Sequence, residues 1–110
     1  MKRLNRILKH QEFDAIIRSS PFIKSQHFVI HFRKNEKKLA RIGVLVSKKN
    51  GNAVIRNKIK RQIRAIVGAH LDLSKGLDIV IIARTTYDTA KFHDEETELA
   101  SSLMKIGEKN

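Results

Sequence analysis

One segment of this 110-residue chain limits its fold more than any other, the stretch from Ala53 to Val67. Read as a helix at about 100° per residue, it gathers Ile55, Ile59, Ile63, Ile66 and Val67 into one arc of about 120°. Asn57, Lys60, Arg61 and Arg64 fill most of the opposite arc, with Arg56 at the border. A helix divided in this way must lay one side on a core and turn the other side away from it. From Arg56 to Arg64 the segment holds five cations, Lys58 included, and no acid. Ahead of it come a strand end at Val46-Ser47, two lysines, Lys48 and Lys49, and an Asn50-Gly51-Asn52 turn whose last residue is placed to cap the helix.

The charge of that helix belongs to a wider asymmetry. The chain is +12 overall, but residues 1–71 hold 18 Lys and Arg against three acids, Glu12, Asp14 and Glu36. Residues 72–110 hold five bases against eight acids. Between Lys37 and Leu71 there are ten bases and no acid. Such self-repulsion opposes folding unless a polyanion relieves it, which makes nucleic acid the leading partner class. An anionic membrane surface fits less well, because the apolar arc of the basic helix is needed for the core. No apolar run approaches the roughly 18 residues of a membrane span. The first ten residues have the charge of a secretory signal without its apolar segment, so the cytoplasm is the expected location. With no cysteine, thiolate chemistry and disulfides are excluded.

In chain order, residues 1–9 read as a loosely held basic arm and Gln11–Arg18 as a short helix with Phe13, Ile16 and Ile17 on one side. Ser19-Ser20-Pro21 stops it. Phe22–Lys24 fits a short edge strand, Gln26–Arg33 a β-branched and aromatic strand, and Ala40–Ser47 a second strand expected to pair with it as a hairpin. Alternation places Phe28, Ile30 and Phe32 on one face and His27, Val29 and His31 on the other. Gly43 marks a bulge or a close backbone approach. Leu77–Ala83 is a near-continuous apolar run, as in a strand covered on both faces. A last helix is expected from about Asp94, acidic in its first turns, with Leu99, Leu103 and Ile106 as its core stripe and residues 107–110 as a frayed tail. The resulting αβββαβα order predicts a single α+β domain over 1–110, a mixed four-stranded sheet with helices packed on it.

Chemistry of other kinds finds little support. The five histidines are scattered, so a zinc site is not expected, and no phosphate-binding glycine motif occurs. An independent metal-dependent nuclease needs clustered carboxylates, yet the acids lie mainly in the last helix, away from the basic stretch. Asn57, uncharged among cations, is better explained by a specific hydrogen bond than by bulk electrostatics. A structural RNA-binding protein of the ribosome or translation apparatus would share the same helix.

Ser47-Lys48-Lys49, Gly51-Asn52-Ala53 and Arg56-Asn57-Lys58-Ile59-Lys60-Arg61-Gln62-Ile63-Arg64 together resemble the RNR signature of the bacterial ribonuclease P protein family. Phe13, Gln26-His27-Phe28-Val29 and Asp78–Arg84 sit at similar spacing, so the resemblance spans about residues 3–106. It implies a non-catalytic protein subunit in a 1:1 complex with a catalytic RNA. That RNA binds most of the Mg2+ and removes the 5′ leader of precursor tRNA. It also implies a left-handed βαβ crossover, against the usual hand. By position, Lys48, Lys49, Asn52, Arg56, Asn57, Lys60, Arg61 and Arg64 are expected on the RNA subunit or on metal-bound phosphates, and Phe13, Ile17 and His31 along a leader cleft, with no metal ligand and no catalytic residue among them. The family often has an aromatic where Ile17 stands and a tyrosine where His31 stands, and an isoleucine cannot stack on a base as a ring does.

Overall fold

The computed structural model describes residues 5–6 and 9–109, with side chains to Gly107. Its elements are α1 (His10–Ser19), β1 (Phe22–Lys24), β2 (Phe28–Lys34), β3 (Arg41–Val46), α2 (Ala53–His70), β4 (Leu77–Ala83) and α3 (Phe92–Lys109), with single 3-10 turns at Lys48–Asn50 and Thr89–Lys91. The four strands form one sheet in the order β1-β2-β4-β3. β4 runs antiparallel to β2 and parallel to β3, so α2 is the crossover between two parallel neighbours.

This order corrects the expected hairpin. β2 and β3 are not neighbours, because β4 inserts between them. The reason lies in β4 itself: Leu77, Ile79, Val80, Ile81 and Ala83 are all buried, and residues apolar on both faces belong in the middle of a sheet. Ile79 and Ile81 join Phe28, Ile30, Phe32, Ile42 and Val44 beneath Ile59, Ile63, Ile66 and Val67 of α2 and Leu99, Leu103 and Ile106 of α3. Val80 faces the other way, against Ile16 of α1, with Phe13, Ile17, Leu45 and Ile82 packed around it. The molecule is thus three layers, α1, sheet, and the α2–α3 pair.

Two close fits set the α1 layer on the sheet. Gly43 lies directly under Phe13, and a Cβ there would come within 2.3 Å of the ring. Close approach, not a bulge, explains the glycine. Beside it, Asp78 is buried in a row with Arg33 and Arg41, its register partners on β2 and β3. Arg41 grips it through Nε to Oδ1 and Nη2 to Oδ2, both 2.9 Å, and its Nη1 reaches Glu12 of α1. Asn35 donates to Oδ1 at 2.7 Å and Arg33 to Oδ2 at 3.3 Å. Burial pushes the Asp78 carboxyl up, but hydrogen bonds from Arg41, Asn35 and Arg33 and the charge of Arg41 outweigh it and hold it below its ordinary value. The Asp78 hydrogen bond is likewise the main cause that raises Arg41 above its own.

Three other expectations shift. Ile55, assigned to the apolar arc, is 43% exposed, because it lies at the first turn of α2 and folds over Gly51 of the preceding turn instead of over the sheet. Asn5 and Arg6 are not loose. The buried Asn5 amide donates to the Ala40 carbonyl at 2.7 Å, and Arg6 bridges to Ile42 at the outer edge of β3. The remaining arm positions 1–4 and 7–8 lie outside the described residues. The last helix begins two residues early, at Phe92, and continues through Lys109 where a frayed tail was expected; Asn110 lies outside the described residues.

Candidate nucleic-acid interface

The turn and the first half of α2 gather the cations into one surface. Gly51 has φ of +133°, a conformation L side chains rarely adopt, and a Cβ there would also meet Ile55 at 3.1 Å. The Asn52 carboxamide oxygen accepts from the Ile55 amide at 3.0 Å, fixing where the helix starts. Asn50, not singled out from the sequence, ties the turn to the end of β4 by donating to the Arg84 carbonyl at 2.9 Å. Lys48 and Lys49 are thereby held exposed beside the positive end of α2. Along the helix Asn57 and Arg61 are exposed, and Arg56, Lys60 and Arg64 half-exposed.

These cations are clustered on one surface and, among the described residues, have no counter-charge. Among the described residues, the ion pairs involve Arg33, Arg41 and three histidines; Lys48, Lys49, Arg56, Lys60, Arg61 and Arg64 form none. The Nε of Arg56 is buried without a hydrogen-bond partner. Arg64 is held below its ordinary value, first by desolvation and then by the like charge of Arg6. Arg6 therefore adds to this surface, which charge counting in the basic arm could have flagged but not located. The far side of α2 is braced: Gln62 donates to the Thr89 carbonyl at 3.1 Å and accepts from the Tyr87 hydroxyl at 2.8 Å. Burial, and next the charge of Glu95, push that hydroxyl above its ordinary pKa, which keeps it a donor.

Phe13, Ile17 and His31 come together on the α1 side of the sheet. Phe13 and Ile17 are half-buried, packed on Leu45, Val80 and Ile82, so each contributes to packing and also borders the sheet face. His31 is buried beneath Phe22, its cross-strand partner on β1, with ring centroids 5.3 Å apart and tilted by 41°. Phe22 is the aromatic that sequence reasoning missed. It is 57% exposed, on the same face as His31. Edge-strand alternation carried the signal, but the register with His31 comes from the fold. The structure also brings His27 to Glu95 and Glu98 of α3, which lie far from it in sequence.

The ribonuclease P family model matches residues 1–107. The chain is 43% identical over 108 residues to the ribonuclease P protein component of Mesoplasma florum, covering 96% of this chain and 98% of that one. It is 37% identical over 105 residues to the Clostridium botulinum component, covering 94% and 95%. Among solved structures, it resembles a variant of the Staphylococcus aureus ribonuclease P protein with a TM-score of 0.81 at 34% identity, covering 96% of this chain and 90% of that one. The Thermotoga maritima protein gives 0.70 at 30% identity, covering 92% and 93%. The chain belongs to the ribonuclease P protein family, the non-catalytic subunit that binds the catalytic RNA and precursor tRNA for removal of the 5′ leader.

Proposed function

We propose that the two surfaces divide the two RNAs between them. The surface of Lys48, Lys49, Asn52, Arg56, Asn57, Lys60, Arg61 and Arg64 holds the RNA subunit, in a 1:1 complex in the cytoplasm. The α1 side of the sheet, with Phe13, Ile17, His31 and the newly placed Phe22, holds the leader. The observation that carries this division is the cluster of cations on the turn and α2 without carboxylate partners among the described residues, in contrast to Arg33 and Arg41, which pair with Asp78 and Glu12. Unpaired cations are free to replace the counterions of a phosphate backbone.

In this reading the protein supplies no reacting group. The Mg2+ ions are held mainly by the RNA subunit and supply the hydrolytic chemistry there. The cations of α2 and the turn lower the repulsion between catalytic RNA and substrate, so less Mg2+ is needed to bring them together. Asn57, with a neutral amide that both donates and accepts, fixes orientation on a base edge or on a metal-bound water. Exposed Phe22 offers a leader base a ring to stack on, partly restoring what Ile17 cannot provide.

The test is reconstitution with a bacterial ribonuclease P RNA at low Mg2+, with and without this chain. The expected result is cleavage of precursor tRNA only when the chain is present. Replacing Arg56, Lys60 and Arg64 by Gln together weakens RNA-subunit binding, whereas Phe22→Ala leaves it intact and weakens precursor over mature tRNA. Equal loss on both RNAs in both variants would overturn the division.

A further inference from the structure

On the side of the molecule formed by the start of β2, the loop after β4 and the first turns of α3, three side chains aim at one point. The Nδ1 atom of His27 lies 2.7 Å from Oε1 of Glu95 and 2.6 Å from Oε1 of Glu98. The three ligand atoms lie within 4.8 Å of one another. Each carboxylate is oriented by its other oxygen. Glu95 Oε2 accepts from the Asp88 amide at 2.8 Å, and Glu98 Oε2 accepts from the Ser25 hydroxyl at 2.5 Å and the His27 amide at 2.8 Å. Glu95 is 1% exposed, and the 2.7 Å contact between its Oε1 and the buried Nδ1 of His27 lacks hydrogen-bond geometry, so neither atom is satisfied by a hydrogen bond among the described residues. A buried carboxylate oxygen without a well-aligned donor is costly, and the surrounding oxygens are held as if for a central cation.

We propose that His27, Glu95 and Glu98 bind one divalent transition-metal ion of the zinc class. An imidazole nitrogen with two carboxylate oxygens is a set that Zn2+ accepts, whereas Mg2+ favours oxygen and keeps its waters. Zinc bonds of about 2.1 Å require the ligand atoms to spread to about 3.4 Å, a side-chain adjustment of under ~1 Å from the present spacing. The open side faces a cavity lined by Gln26, Thr86, Asp88, Lys91 and Asp94, which leaves a fourth position to water. The ion would clip β2 to α3. The loop it borders carries Tyr87 and Thr89, which brace Gln62 of the basic helix, so the clip would stiffen the back of the RNA-binding surface.

The test is titration of the full chain with ZnCl2 by calorimetry, with thermal melting in parallel, against His27→Gln, Glu98→Gln and a His70→Gln control. His70 pairs with exposed Glu96 elsewhere on the surface. The expected result is one ion per chain and a higher melting temperature, with affinity at least about tenfold weaker in the first two variants and unchanged in the control. Mg2+ at the same concentration produces neither effect. Because His27→Gln could fold poorly, the histidine ring-nitrogen spectrum of the unmodified protein gives a second readout. Zn2+ should move the His27 ring and leave those of His31 and His70 in place. Absence of zinc binding, binding unaltered in His27→Gln, or an unmoved His27 ring would each overturn the site and leave a proton shared between His27 and the two carboxylates.

Discussion

The chain holds two arginine-rich regions that look alike in sequence and differ in what surrounds them. Arg33 and Arg41 converge on buried Asp78, with Glu12 completing the set from α1. Arg56, Arg61 and Arg64 line α2 with no carboxylate partner among the described residues, and Arg64 feels the like charge of another arginine, Arg6. The first group is closed: every charge is answered within the fold, and its task is to fasten α1 to the sheet. The second is left open, its repulsion unanswered within the described fold. Net charge cannot separate these two roles, because +12 counts Arg41 and Arg64 equally.

The sharpest way to break the contrast is to open the closed group. Asp78→Ala removes two of the hydrogen bonds of Arg41 and leaves it only Glu12, and is expected to cost about 3–5 kcal/mol in a urea melt. A loss under about 1 kcal/mol would place Arg41 with the open cations after all. Closing the open group is the reverse experiment. Arg61→Gln with Arg64→Gln should lower the steepness of log affinity against log salt for the RNA subunit by about 2. Folding stability should stay within about 0.5 kcal/mol of the parent or rise, as the repulsion from Arg6 disappears.

A smaller effect tests the other surface. Phe22→Ala should cost about 1–3 kcal/mol in precursor-tRNA binding, read as the difference between precursor and mature tRNA. The thermal midpoint should hardly move, since the ring is mostly exposed. The smallest expected effect is in acid. The folded pKa of Asp78 lies below its unfolded value of about 3.9, so its contribution to stability is complete above that value and fades as pH falls through it toward the folded one. One proton can change stability by at most about 1.4 kcal/mol per pH unit, and chemical melts of Asp78→Asn below pH ~4 should show a flatter decline than those of the parent.

Much of this was legible in the residues. The start of α2 at Ala53, its Asn52 cap and the buried Ile59, Ile63, Ile66 and Val67 follow from local pattern, which depends on neighbours a few positions away. Burial of β4 on both faces was legible for the same reason. Its place between β2 and β3 was not, because strand order depends on which long-range pairing buries most, and a hairpin is only the nearest option in sequence. The closed arginine group was hidden likewise: Asp78 reads as a lone acid in an apolar run until register sets it between Arg33 and Arg41. His27 and Glu98, 71 positions apart, could meet on paper only if the packing of α3 were already known.

Gly43 has a consequence for the surface proposed to hold the leader. The ring of Phe13 rests on its backbone with no room for a methyl group, so this absent methyl works as a spacer of zero thickness between helix and sheet. An alanine there would lift or tilt α1 and with it Ile17, while Phe22 and His31 stayed on the far strands. The spacing between α1 and the sheet is therefore gauged at a residue with no side chain of its own. A relative with a larger residue at this point would have to hold a leader of the same thickness against a differently seated helix.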